Sequence, residues 1–382
     1  MSHIHVEGAS DAAGLRADLA GARRFALDCE AAGFHRYSDR LCLVQVTVGE
    51  RTYVVDPLAF DAADLLRGPI EDPEIQVLMH GADFDLRLLK RDLGIRLKGL
   101  IDTQIAASLL GEEALGLQSL LESRLGVKLS KKYQRADWAE RPLSEGMLEY
   151  AASDTRHLPA LVDIITQELG EAGRLEWAQE EWRALEEVAD EAPTQDEPED
   201  PVARVKGARK LPTSSVAAIR EALAWRDEIA RAKDRAPFRV VGDPQLVEAV
   251  MTGARRVEDL TAIKGFPRAL AREQGDDLLR RLRDVIARPE SELRGYPRDG
   301  RRGPGRPPPE LEELIERLKK ARNSKAQEIG LPRGTLLPNA VIEAIAREAP
   351  KDDASLRAVE GMRRWKADVV GAELLEVLRK KS

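Results

Sequence analysis

Four carboxylates in this chain have the types and spacing to hold metal ions. Asp28 and Glu30 stand two apart in Phe25-Ala26-Leu27-Asp28-Cys29-Glu30. Asp85 lies in His80-Gly81-Ala82-Asp83-Phe84-Asp85-Leu86, and Asp154 ends Glu149-Tyr150-Ala151-Ala152-Ser153-Asp154. If these segments converge, the cluster cannot stay ionised without cations. Oxygen-only donors favour Mg²⁺ or Mn²⁺. Two such ions about 4 Å apart are the arrangement that hydrolyses phosphodiesters by in-line attack.

The positioning elements follow from periodicity. An apolar run containing Asp28 and Glu30 reads as a central strand, 25–30, and acids two apart on a strand share one face. Charged groups there are costly unless paired or metal-bound. Tyr150 and Asp154 are four apart, so on a helix over 144–168 they share a face. Residues 11–24 read as a helix. Leu41–Val48 and Arg51–Val55 read as a hairpin turning at Gly49-Glu50. A helix over 61–70 and a strand over 75–80 follow, then helices near 83–93, 102–110 and 116–125. Strands that start as a hairpin and then alternate with helices predict a mixed sheet flanked by helices, a pattern shared by several α/β folds.

Asp28-x-Glu30, Asp85 and Tyr150-x-x-x-Asp154 together resemble the DEDD exonucleases, in the subgroup with a tyrosine in the third motif. Ile101-Asp102-Thr103-Gln104 and Gln134-Arg135-Ala136-Asp137-Trp138-Ala139-Glu140-Arg141-Pro142-Leu143 are similar to the ribonuclease D family in particular. The resemblance implies a ribonuclease H-like α/β exonuclease domain that works 3′→5′ on RNA and releases 5′-mononucleotides. It implies two divalent ions, Mg²⁺ or Mn²⁺. Asp28 would bridge them, Glu30 and Asp154 would complete the first site, and Asp85 would serve the second. Tyr150 would orient the attacking water, since a phenol of pKa about 10 is a poor general base at neutral pH. tRNA precursors and other structured RNA 3′ ends are the implied substrates. A DNA repair or proofreading exonuclease would use the same acids, and a non-catalytic RNA-binding scaffold is the alternative of another class.

Three further readings concern single residues. His80 is expected to be structural, and Asp102 and Asp83 to cap helices. Lys131, Lys132, Arg135, Trp138 and Arg141 are the nucleic-acid candidates, through phosphate contact or base stacking. For Trp138 and Arg141 the competing roles are a packed aromatic and a structural ion pair.

The C-terminal half repeats itself with a period of about 95 residues. Asp243–Val250 matches Pro338–Ile345, Asp259–Phe266 matches Ala354–Met362, and Gly275–Leu282 matches Gly371–Leu378. The first copy resembles the HRDC domain through Leu223-Ala224-Trp225-Arg226-Asp227-Glu228-Ile229-Ala230, Phe238-Arg239-Val240-Val241 and Leu260-x-x-Ile263-x-Gly265. The second copy lacks the Trp-Arg-Asp-Glu word and rests on the internal match. The family's modules bind nucleic acid. The expected organisation is an exonuclease domain over 1–186, an acidic linker over 187–212 and an all-α HRDC domain over 213–288. An Arg/Gly/Pro linker over 289–309 and an all-α HRDC-like domain over 310–382 complete it. Arg298, Arg301, Arg302 and Arg306 lie in the second linker.

Composition sets outer bounds. A chain of 382 residues with 43% hydrophobic residues supports two or three globular domains. The net charge of −7 divides into about −18 over residues 1–200 and about +11 over 201–382. An acidic metal-binding half joined to a basic half fits a nucleic-acid enzyme, although acidic linkers and solvated helix faces give the same split. The two cysteines, Cys29 and Cys42, fit reduced core thiols and a cytoplasmic setting. No apolar run is long enough to span a membrane and no secretory signal is evident.

Overall fold

The computed structural model describes residues 3–191, 200–297 and 308–380. Six strands form one mixed sheet: β1 (His3–Val6), β2 (Arg24–Ala31), β3 (Leu41–Val48), β4 (Arg51–Val55), β5 (Gln76–Met79) and β6 (Leu100–Asp102). Their order is β1-β4-β3-β2-β5-β6. β2, β3 and β4 pair antiparallel, whereas β1, β5 and β6 join in parallel. The expected hairpin and the central position of β2 are both present. β3 is buried on both faces along almost its whole length, which explains its unbroken apolar run.

Several elements differ from expectation. β1 and β6 have four and three residues, too few for alternation to register. The expected 144–168 helix is two helices, Glu145–Arg156 and Leu158–Glu171, parted at His157, with Pro159 in the first turn of the second. A further helix, Leu175–Glu191, buries Ala178, Trp182 and Ala189 and so occupies the start of the expected 187–212 linker. The end of that stretch is also structured. Val202, Val205 and Ala208 are buried in the core of the first helical domain, and Arg220 clamps Asp200 at 2.8 and 3.0 Å. Of the second linker, Tyr296 packs on the same core. Arg298, Arg301, Arg302 and Arg306 lie outside the described residues.

The duplication is physical. Thr213–Ala232, Pro237–Val240, Asp243–Met251, Val257–Ala262 and Arg268–Ile286 repeat as Pro309–Glu328, Arg333–Leu336, Asn339–Glu348, Asp353–Arg357 and Arg364–Arg379. A Cβ on Gly275 would stand 3.1 Å from a Leu260 methyl, and one on Gly371 would stand 3.1 Å from a Leu356 methyl. The same close helix crossing therefore places a glycine against a leucine in both copies. Arg226 donates to Val241 O and Asp243, and Arg322 donates to Leu337 O and Asn339. Arg322 thus keeps the arginine of the missing Trp-Arg-Asp-Glu word.

The two helical domains attach differently. The second shares one continuous apolar core with the sheet domain. Trp365 stacks on Trp177 at 4.7 Å and 15°, a pairing worth about 0.5–1.5 kcal/mol beyond its burial. Its indole N–H donates to Glu181 at 2.8 Å, which also pairs with Lys366. Part of the charge asymmetry is therefore spent within the chain, acidic helix against basic domain. The first helical domain has its own core and touches the sheet domain through Tyr37 and its neighbours in the β2–β3 loop. Among the described residues, no helix is long and apolar enough to cross a membrane.

Candidate active site

β2 brings Asp28 and Glu30 to one face of the sheet, opposite Gln45 and Leu43 of β3. Cys29 alternates to the other face and packs against the main core. The helix Glu145–Arg156 lies across the carboxylate face. Ser144 caps it by accepting from Met147 N at 3.3 Å. One carboxylate oxygen each from Asp28, Glu30 and Asp154 lies within 4.8 Å of the others.

Asp85 arrives from the strand on the other side of β2. β5 pairs parallel with β2, then turns at Gly81, whose φ of 70° is left-handed, into the helix Asp83–Leu88. Asp102 holds this turn. Its carboxylate accepts from Gly81 N, Ala82 N, Gln104 N and Ile105 N at 2.7 to 3.2 Å. It therefore caps its own helix, as expected, and also stitches that helix to the turn before Asp85. Trp182 supports it from behind by donating to Asp102 O at 3.0 Å. His80 shares a 2.9 Å hydrogen bond with Thr103 Oγ1, and burial lowers its pKa, so it is neutral and structural.

The electrostatics are those of an uncompensated anion cluster. Burial, then the charges of Asp85, Asp154 and Glu30, push the Asp28 carboxyl well above the carboxylate range. Burial and the charges of Asp154 and Asp85 do the same to Glu30. Burial, helped by Asp102 and Asp83, raises Asp85 to about 8, and burial raises Asp154 to about 7. Removing water from four acids without supplying a counter-charge is unfavourable unless cations complete the site. The donors are all carboxylate oxygens, the set that suits hard divalent ions. A second group, His5, Glu7 and Asp56, also gathers among the described residues. There Asp56 is already clamped by Arg141 at 2.6 and 2.9 Å.

Tyr150 lies one turn before Asp154. Its phenol pKa is raised by burial and by Asp154, Glu30 and Asp28, so it stays protonated at neutral pH. Its ring is held between Tyr133, edge-on at 6.2 Å, and Trp138, tilted at 6.0 Å. Gly146 makes this possible, because a Cβ there would stand 2.6 Å from the Tyr133 hydroxyl.

Two nucleic-acid candidates are corrected here. Trp138 is only 2% exposed, so it has no face left for a base and serves as a wall for Tyr150. Arg141 is consumed by Asp56 and by the carbonyls of Trp138, Glu140 and Cys42, and so is a structural anchor. Lys131, Lys132 and Arg135 are exposed, with Lys132 over the Tyr133 ring at 4.9 Å and Arg135 over the Phe34 ring at 5.7 Å. Tyr133 and Trp182, which brace Tyr150 and Asp102, carry no local signal in the sequence. Gln45, a polar residue inside an apolar strand, is buried opposite Asp28.

A family model for 3′-5′ exonucleases matches residues 4–170, and an HRDC domain model matches residues 216–282 and 312–378. Ribonuclease D of Xanthomonas oryzae pv. oryzae is 30% identical over 95% of both chains. Ribonuclease D of Gluconacetobacter diazotrophicus is 31% identical over 76% of this chain and 74% of that one. The crystal structure of Escherichia coli RNase D, at 24% identity, superimposes with a TM-score of 0.70 over 100% of this chain and 99% of the other, which establishes the common fold. With an exonuclease domain, a carboxylate-lined site and paired HRDC domains, the chain belongs to the ribonuclease D family.

Proposed function

We propose that this protein is a 3′→5′ exoribonuclease that trims 3′ extensions of structured RNA, tRNA precursors among them, using two divalent ions, Mg²⁺ or Mn²⁺. The observation that carries this reading is the convergence of Asp28, Glu30 and Asp154 within 4.8 Å, with the charge of Asp85 acting on Asp28 from the other side. Ions bound there would lower the pKa of an attacking water and offset charge on the scissile phosphate.

The chain's own residues have distinct parts in this reading. Asp28, whose carboxylate feels Asp85 as well as Asp154 and Glu30, would be shared between the two ions. Glu30 and Asp154 would hold the ion that activates the water, and Asp85 the ion that offsets charge on the leaving 3′ oxygen. Tyr150, kept as a phenol, orients the water by hydrogen bonding and takes no proton. The wall of Tyr133 and Trp138 fixes its ring, so the orientation is set before substrate arrives.

The test uses a 3′-extended tRNA and a matched single-stranded DNA, each labelled at the 5′ end. Wild type and Asp28→Asn are incubated with Mg²⁺, Mn²⁺ or EDTA. A one-nucleotide RNA ladder that needs both the metal and Asp28 is the expected result. Preferential shortening of the DNA moves the reading to repair, and binding without shortening of either strand overturns it.

A further inference from the structure

Beside Glu30, where the first helical domain meets the sheet domain, lies a cleft of about 530 Å³ lined by three phenylalanines. Phe34 belongs to the loop after β2, Phe84 to the first turn of the helix that carries Asp85, and Phe238 to the helix Pro237–Val240 of the first HRDC domain. They are 40%, 49% and 54% exposed. Burying such rings is favourable by about 25 cal/mol for each Å² of apolar surface, so three exposed together on one cleft do not serve folding. Phe34 and Phe238 lie 5.6 Å apart at 55°, a tilted contact that leaves ring surface open.

Positive charge is interleaved with these rings. Arg239 lies 4.8 Å and Arg135 5.7 Å from the centre of the Phe34 ring. Arg135 is exposed and pairs with no carboxylate among the described residues. Phe34, flanked by these two arginines, therefore shares the cleft with Glu30 of the carboxylate cluster.

We propose that this cleft is a stacking platform for the single-stranded 3′ segment of RNA, built jointly by the exonuclease domain and the first HRDC domain. Bases lie on Phe34, Phe84 and Phe238, while Arg135 and Arg239 meet the phosphates. The inference rests on the exoribonuclease reading above. Every base has a π face, so aromatic rings grip single strands without regard to sequence, and a duplex hides those faces. The platform is also held rigid. The Tyr37 hydroxyl donates to Asp227 at 2.9 Å, Ala236 N to His35 O at 3.0 Å, and Arg239 Nε to Phe34 O at 2.8 Å. The spacing between the rings of the two domains is thus set before RNA binds, which limits the ordering cost.

The test measures binding of a 5′-fluorescent single-stranded RNA to the full-length chain in an Asp28→Asn background with Mg²⁺. Phe34→Ala and Phe238→Ala are each expected to weaken binding by roughly 5- to 100-fold. RNA with abasic 3′-terminal nucleotides should bind more weakly to the parent and lose nothing further with Phe238→Ala. Phe238→Trp should keep the affinity, and added RNA should quench its tryptophan fluorescence by more than it quenches the five tryptophans of the parent. Unchanged binding by Phe238→Ala overturns the proposal. Equal losses on intact and abasic RNA also overturn it, because the ring then only braces the domain seam. If Phe238→Ala does not fold, bound RNA that quenches Phe238→Trp no more than the parent has the same meaning. RNA shortening by the wild type is assayed in parallel. Its absence sinks the exoribonuclease reading, whereas shortening with unaffected variants sinks only the platform.

Discussion

Thr155 and Thr47 join hydroxyls at 2.8 Å in the interior, and Thr47 passes the contact on to Thr52 at 2.9 Å. Thr155 directly follows Asp154, so this bond ties the helix Glu145–Arg156 to β3 at Thr47, which pairs with Ala26 two residues before Asp28. Polar pairing inside a core gives register as well as stability. Thr155→Val keeps the shape and removes the bond. We expect a loss of about 1 kcal/mol in urea unfolding, and a fall in kcat with little change in KM. A variant that is destabilised but keeps full kcat would show that the bond does not position Asp154.

Cation binding and pH should be linked through the acid cluster. Unfolded carboxyls ionise near pH 4. In the folded protein Asp85 holds its proton to about 8 and Asp154 to about 7. Raised folded-state values mean that the contribution of these two groups to stability is fully present below about pH 4 and is lost as pH rises toward 7–8. Divalent ions displace those protons, so their stabilisation should be larger at pH 8 than at pH 5. Melting curves in EDTA and in Mn²⁺ at both values check this, with a shift of several degrees expected at pH 8, since about 1 kcal/mol moves such a midpoint by about 2–4 °C. Asp28→Asn should shrink the shift, and an equal shift at both pH values would contradict the linkage.

Tyr150→Phe removes only the hydroxyl from a ring already held by Tyr133 and Trp138. If that hydroxyl orients the water, kcat should fall on the order of 100-fold with KM unchanged. Single-turnover kinetics under saturating RNA make the comparison. A change confined to KM would place Tyr150 in binding instead.

Arg141 meets a carboxylate that is 1% exposed. Arg141→Ala would leave Asp56 charged and unpaired, at a cost of about 3–5 kcal/mol. Arg141→Lys should recover little, because the clamp uses two nitrogens of a planar fork. Chemical denaturation of both variants decides it. A stable Arg141→Ala with weakened RNA binding would restore the phosphate-contact role.

Glu181 pairs with the buried ammonium of Lys366 and accepts from the Trp365 indole. Glu181→Leu should leave Lys366 unpaired and loosen the second helical domain from the sheet domain. Hydrogen exchange across residues 308–380 should rise in the variant, while exchange in the first helical domain, which has its own core, stays at the wild-type level. Uniform loss of protection in both domains would mean that they unfold together.

The acids and the tyrosine were legible because their chemistry depends on residue type at short range. An acid pair two apart in an apolar strand, and a tyrosine and an acid one helical turn apart, fix their own faces through strand and helix periodicity. The duplication was legible for the same reason, since Gly275 and Gly371 answer one local crossing. What tertiary structure decided lies between elements distant in the chain. Trp138 and Arg141 carry side chains that suit RNA, and only the packing of Tyr150 on one and the burial of Asp56 beneath the other assign them to support. The last turn of the helix Leu175–Glu191 looked like linker because its partners, Lys90 and Lys98, stand some 90 to 100 residues away in the chain. Phe34, Phe84 and Phe238 stand in three segments far apart in the sequence. They become one surface only because the β2–β3 loop is hydrogen-bonded to the first HRDC domain, a contact between residues some 200 positions apart that no local period can encode.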